Sequence, residues 1–213
     1  MEKMKPGFRL GMMASDVLIE ILRINPFVTA VLFKTYIPTR NLQEESVILS
    51  LVSVERLQRH SPTREGIFWL KREEITVGRL DAIAKSLVGE RVLAVASKAK
   101  VSNFRKTFHI SMMDFNCEAS PANLDKIQEF LEGISQEGVV LASGRSYHFY
   151  GIKLMTKDES SVFFGKCLLL SGYIDHRYIG HRLIDGFANL RISAEIRRPL
   201  IPKVVAILPG AVR

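Results

Sequence analysis

The stretch Ser143-Gly144-Arg145-Ser146-Tyr147-His148-Phe149-Tyr150-Gly151 decides how this chain is read. An apolar run, Gly138 to Ala142, enters it, and an alternating segment, Ser146 to Met155, leaves it. Two β-rich runs joined by a Ser-Gly turn predict an antiparallel pair. Successive side chains of a strand point to opposite faces. Ser146, His148 and Tyr150 are therefore expected on one face, and Tyr147 and Phe149 on the other. A hydroxyl and an imidazole then stand side by side, just past a turn whose glycine lets backbone approach a ligand closely. Taken alone, this is a hairpin corner with one exposed histidine. Its neighbours suggest more: Asp114 and Glu118 upstream, Asp175 and several arginines downstream.

Working outward, Phe108 to Phe115 reads as a strand, and Ser120-Pro121 opens a helix that runs through Leu124, Ile127, Phe130 and Leu131 to Gly133. After the pair come a helix over Lys157 to Leu170, a loop or short helix from Asp175 to Arg182, and strands at Ala188 to Ser193 and Val204 to Leu208. Strand, helix, two antiparallel strands, helix, strands is the order of an α+β fold, with helices packed on one face of a largely antiparallel sheet. RNA-recognition-motif-like and palm-like folds are built this way. Before residue 108 the chain predicts a helix capped by Ser15 and stopped at Asn25-Pro26, a strand Phe27 to Ile37, and a β-rich run Ser46 to Val54. A short strand Gly66 to Lys71, a helix Thr76 to Leu87 and a strand Val92 to Ala96 follow, then a basic connection holding Lys98, Lys100, Arg105 and Lys106. That connection reads as a solvated loop or as a nucleic-acid contact. One domain over 1–213 is expected: an N-terminal α/β lobe, 1–107, fused to a palm-like lobe, 108–213, that carries the motifs.

At 213 residues, 47% hydrophobic and 24% charged, the chain has the composition of a soluble globular protein. No stretch approaches the ~18 uninterrupted apolar residues of a membrane span. The start, with Lys3, Lys5 and Arg9 followed by Asp16 and Glu20, does not read as a secretory signal. Cys117 and Cys167 lack metal-ligand spacing, so a reduced, cytoplasmic protein is expected. The net charge is +8, and residues 141–213 hold eleven Lys and Arg against five Asp and Glu. A surface of that sign suits phosphates, of nucleotides or of a nucleic-acid backbone.

Asp114, Asn116 and Glu118 lie two apart, so a strand continuing through Glu118 would project all three from one face. Clustered oxygen ligands suit Mg²⁺ or Mn²⁺, and Asp175 would complete the cage from a distant segment. Such a site does phosphoryl transfer, with Arg145, Ser146 and His148 placed to hold a triphosphate. Acids just before a helix are also favoured by its dipole, which is the plain alternative for Asp114 and Glu118.

These residues carry a resemblance. A hydrophobic strand ending in Asp114-Phe115-Asn116, then Ser146-Tyr147-His148, then Ile174-Asp175 with Arg177, resembles the three-motif order of the archaeo-eukaryotic primase superfamily, the primase-polymerases. The resemblance covers Phe108 to Ser193. It implies a template-dependent nucleotidyltransferase using Mg²⁺ or Mn²⁺, with nucleoside triphosphates and a single-stranded nucleic-acid template as its partners. It further implies Asp114 and Asp175 as metal ligands and His148 on the nucleotide's phosphates. Arg177, Arg182 and Arg191 would lie near the nucleotide and primer. The second acid of the first motif is Asn116 here, so either Glu118 supplies the missing charge or metal binding is weakened. The chain would be a minimal catalytic core, or one subunit of something larger, with a helicase or a larger primase subunit as the protein partner.

Three other readings stand beside it. A nucleotide- or nucleic-acid-binding module of the same fold would have lost turnover. A rolling-circle nicking enzyme would need a second histidine where Ser111 stands beside His109. Asp175, His176 and His181 have zinc-ligand types at irregular spacing.

Overall fold

A computed structural model describes residues 6–37, 66–170, 172–194, 196 and 198–209. The β-rich run expected at Ser46 to Val54 lies outside the described residues. The rest is a mixed α+β fold with an eight-stranded antiparallel sheet and five α-helices among the described residues. In chain order they are α1 (Ala14–Ile24), β1 (Val28–Tyr36), β2 (Gly66–Lys71), α2 (Val77–Ser86), β3 (Val92–Val101) and β4 (Thr107–Asp114). Then follow α3 (Pro121–Gly133), β5 (Gly138–Ala142), β6 (Tyr147–Met155), α4 (Lys157–Leu168), α5 (His176–Asp185), β7 (Asn189–Arg191) and β8 (Lys203–Ile207). None of the described helices is long and apolar enough to cross a membrane.

Local chemistry sets most boundaries. Thr76, Ser120 and Thr156 cap α2, α3 and α4, each hydroxyl accepting the N–H of the residue three further on. Ser15 does not cap α1: the helix begins at Ala14, Ser15 is buried within it, and the Asp16 carboxylate accepts the Met13 N–H instead. The strand expected to end at Ala96 continues to Val101, so Lys98 and Lys100 are strand residues rather than loop residues. Sequence alternation had no way to show that the Lys98 ammonium lies over the Phe187 ring and that of exposed Lys100 over the Trp69 ring.

The sheet runs β2-β1-β3-β4-β6-β5-β8, so strands from before and after residue 107 hydrogen-bond into one sheet through the β3–β4 pairing. At β3 it forks. Lys98, Ala99 and Lys100 pair with His109, Phe108 and Thr107 of β4, whereas Ala94, Val95 and Ala96 pair with β7. Beyond the fork β4 pairs with β6 alone, carrying Asp114 opposite His148. Tyr147 and Phe149 point to the side of α3 and α4: the Tyr147 hydroxyl donates to the Ser120 carbonyl at 2.9 Å, and the Phe149 ring packs on Phe163. His148 and Tyr150 take the opposite face, as alternation requires.

Ser97 sits at the fork itself. Its Oγ accepts the Ala188 N–H at 3.1 Å and lies 3.0 Å from Nδ1 of buried His109. The hydroxyl keeps a proton and a second lone pair for Nδ1, so it serves either tautomer of the neutral imidazole. Burial, with help from Lys98 and Lys157, pushes the His109 pKa down to about 4. A depressed imidazole contributes stability that is whole above pH 6.5 and is lost as pH falls from there through about 4. That contribution is on the order of 3 kcal/mol. Urea unfolding at pH 7 and pH 4.5 checks it. Wild type is expected to lose ~2 kcal/mol more than His109→Gln, whose amide can still bond Ser97 but does not titrate. His148, depressed in the same direction, is common to both proteins and cancels.

Candidate active site

Four contacts shape the end of β4. Past Asp114 the strand makes one further bridge, Phe115 opposite Ile174, and the Asn116 N–H donates to the Tyr173 carbonyl at 2.7 Å. Ser146 locks the same corner: its hydroxyl donates to the Phe115 carbonyl at 2.6 Å and accepts the Cys117 N–H at 3.2 Å. The isolated antiparallel bridge of Phe115 to Ile174 brings the flanking Asp114 and Asp175 to the same end of the strand, and the charge of Asp175 acts on Asp114. Asp175 then turns the chain into α5, its Oδ1 accepting the Arg177 N–H at 2.8 Å as N-cap.

His148 completes the group from β6. Its Nε2 lies 3.4 Å from Asp114 Oδ1, longer than a good hydrogen bond. Burial, reinforced by Arg191 and Arg198, drives the His148 pKa down to about 3, so the contact joins a neutral imidazole to a carboxyl group. Asp114 moves the other way, up to about 6. Burial is the main cause; Asp175 pushes in the same direction, against the opposing pull of Arg198, Arg191 and Arg182. Its side chain is still 38% exposed, so the carboxyl faces an opening. Two polar atoms here, His148 Nδ1 and the Tyr150 hydroxyl, are buried with no hydrogen-bond partner among the described residues. Orphaned polar atoms at this depth are costly, and a bound ligand is one way to satisfy them.

The remaining candidates divide. Arg145 and Arg177 are exposed. Arg182 and Arg191 are buried, at 4% and 2% exposure, and so do not line an open groove. Arg191 donates to the carbonyls of Ser143, Ser193 and Leu200, and Arg182 pairs with Asp185 at 3.2 Å. Both act on Asp114 through their field. Asn116 and Glu118 are exposed, and the chain has left strand geometry by Glu118, whose carbonyl accepts from the Asn123 amide. The alternation expected to align Asp114, Asn116 and Glu118 therefore does not extend that far. Sequence reasoning missed Arg198, an exposed cation whose charge reaches Asp114, His148 and Tyr36. The only signal was its place in an Arg-Arg-Pro run near the end. Tyr36, at the end of β1, was missed too; burial raises its pKa, and the Asp114 carboxylate pushes the same way.

The donor set is oxygen-rich and short. No group of three or more His, Cys, Asp and Glu side chains stands ready for a metal among the described residues. Mg²⁺ does not need one, since it is commonly bound by one or two carboxylates together with substrate phosphates and water. Two neighbouring carboxylates, one holding its proton up to about pH 6 partly through their repulsion, fit a hard divalent cation. A separate recess of about 220 Å³, lined by Leu80, Asp81, Lys85, Leu93 and Ile192, contains none of these residues.

A family model described as AEP-like, archaeo-eukaryotic primase 1D-like, matches residues 71–202. The chain belongs to this family. Asp114, the Ser146-Tyr147-His148 motif and Asp175 all fall inside the matched span, so the resemblance carried by those motifs holds at the level of the family. No curated protein and no solved structure matches the chain. Membership in the archaeo-eukaryotic primase 1D-like family places the chain in the primase-polymerase superfamily of nucleotidyltransferases, whose members handle nucleotides and nucleic acids.

Proposed function

We propose that the chain is a template-dependent nucleotidyltransferase that joins nucleotides along a single-stranded nucleic acid with Mg²⁺ or Mn²⁺. The observation that carries this is the Phe115–Ile174 bridge, which brings Asp114 and Asp175 to one end of β4, with His148 Nε2 3.4 Å from Asp114. Asp114 and Asp175 would hold the cation, which when bound activates the attacking oxygen and neutralises charge on the phosphates. The other roles belong to the chain itself. Neutral His148 steadies the Asp114 carboxyl through Nε2. Exposed Arg198, beside it, supplies a cation for the triphosphate, while buried Arg182 and Arg191 lower the cost of bringing polyanion to the site. Ser146 positions Asp114 by tying the end of β4 to the β5–β6 turn.

Primer synthesis and extension on single-stranded templates, with Mn²⁺ or Mg²⁺, tests the proposal. Nucleotide incorporation is expected with at least one of the two metals, and its absence with both would overturn the assignment. Exposed Glu118 has no part in this site, so Glu118→Gln is expected to keep incorporation and Mn²⁺ affinity within about twofold of wild type, as for surface changes generally. A second reading, a binding module without turnover, is favoured by one observation: the neutral Asn116 where the motif has an acid. Under that reading Asn116→Asp raises metal binding.

A further inference from the structure

The end of the sheet remote from Asp114 carries a patch that nucleotide transfer leaves unexplained. Between Glu90 and Asp114 the chain has five cations and no acid. Lys71, Ala30, Lys100 and Thr107 form one cross-strand row over β2, β1, β3 and β4, so two lysines share a row with only alanine between them. Among the described residues none of Lys71, Lys98, Lys100, Arg105 and Lys106 pairs with a carboxylate. Gathering like charges in neighbouring strands costs stability, which a polyanion restores.

Aromatic rings are interleaved with these cations. Leu32 lies between Val31 and Phe33 of the main core, and alternation turns it to the other face, where it packs with Ala96 and Phe187 and has Trp69 against it. Lys98 Nζ lies 5.0 Å from the Phe187 ring centre, and Lys100 Nζ lies 4.6 Å from that of Trp69. At the tip of the β3–β4 hairpin, Asn103 takes a left-handed conformation with φ 66°. Next to it Phe104 stands 61% exposed, braced edge-on against Phe108, which pairs with Ala99 and so lies on the sheet face opposite Lys98 and Lys100, with exposed Arg105 and Lys106 following at the tip. A hairpin serving only solubility gains nothing from an exposed, braced phenyl ring. Single-stranded nucleic acid uses both features, cations along the backbone and ring faces for stacking bases.

We propose that the tip of the β3–β4 hairpin, Phe104 to Lys106, is a binding surface for single-stranded nucleic acid that runs round the strand ends to the lysines of the opposite face. It lies seven strand residues, roughly 23 Å, from Asp114 and needs no turnover. The surface deepens the proposed function by placing a strand on the protein away from the metal-ligating acids, and it is tested without it.

Fluorescence anisotropy of a labelled twenty-nucleotide oligo(dT), titrated at several salt concentrations, is the test. Arg105→Glu/Lys106→Glu changes two exposed side chains, so the fold is expected to survive, as the circular dichroism melt will show. Its Kd is expected to rise at least tenfold, with the salt slope reduced by about 1.4 for two lost single-strand phosphate contacts. Phe104→Ala is expected to raise Kd about fivefold or more with the slope unchanged, since stacking releases no counterions. The titration is run without divalent metal or nucleoside triphosphate, so a failure of the nucleotidyltransferase reading leaves this result intact. The proposal is overturned if the double variant binds oligo(dT) within twofold of wild type. It is equally overturned if wild type ignores oligo(dT) at low salt while binding phosphatidylserine vesicles through the same two residues.

Discussion

Asp114→Asn is expected to lower nucleotide incorporation by about a thousandfold while leaving the protein folded. The size follows from what the carboxylate would do: charge stabilisation by a bound cation supplies several kcal/mol, and about 4 kcal/mol is a thousandfold in rate. Survival of the fold follows from its electrostatics. Its pKa is raised to about 6 by burial and by Asp175, and an acid raised on folding contributes stability below its unfolded pKa that is lost as pH rises through the folded value. At neutral pH the Asp114 charge is therefore a cost to the fold, and an amide of the same shape removes it. Single-turnover incorporation paired with urea unfolding at pH 7 checks both halves. Lost activity together with lost folding would place Asp114 among the structural residues instead.

Gly138→Ala is expected to destabilise the protein by more than ~3 kcal/mol, enough to deplete the folded state. A Cβ there would come 2.1 Å from the Tyr150 carbonyl oxygen and 2.8 Å from Gly151 Cα, and backbone cannot step aside without breaking the β5–β6 pairing. Gly151 makes the informative comparison. Its added Cβ would meet the Ser111 Oγ at 1.9 Å, a side-chain atom. Gly151→Ala should therefore be severe alone and recover a large part of its loss when combined with Ser111→Gly, whereas Gly138→Ala has no single-residue rescue. Denaturant midpoints of the two single variants and the double variant measure this directly.

The features of the sequence that proved legible were local ones. Period-two alternation from Tyr147 to Met155 gave the strand and put His148 opposite to Tyr147 and Phe149. Ser120-Pro121 and Thr76 announced their helices because capping is a matter of one or two residues. The chain order of Asp114, His148 and Asp175 pointed to a family because spacing survives without coordinates. What depends on three dimensions stayed hidden. The fork of β3 between β4 and β7 leaves no mark in either strand's pattern, and neither does the hydroxyl of Ser97 that holds it. Arg182 and Arg191 look like groove cations in a linear reading, yet their guanidinium groups are spent on Asp185 and on backbone carbonyls. Asn116 and Glu118 follow the strand period, but the chain bends once Asn116 has donated to Tyr173, and alternation ends with it. Lys98 and Lys100 counted as a loop because sequence windows treat cations as solvated, whereas backbone pairing with β1 and β4 carries the strand through them.

The most direct measurement is a calorimetric Mn²⁺ titration of wild type, Asp114→Asn and Asp175→Asn, each with nucleoside triphosphate and a single-stranded template present. Saturable Mn²⁺ binding to wild type, lost in both variants while their melting curves stay cooperative, is the expected result. Wild type that takes up no Mn²⁺ under those conditions, or variants that bind it as wild type does, would contradict the assignment of Asp114 and Asp175 as the metal-holding pair.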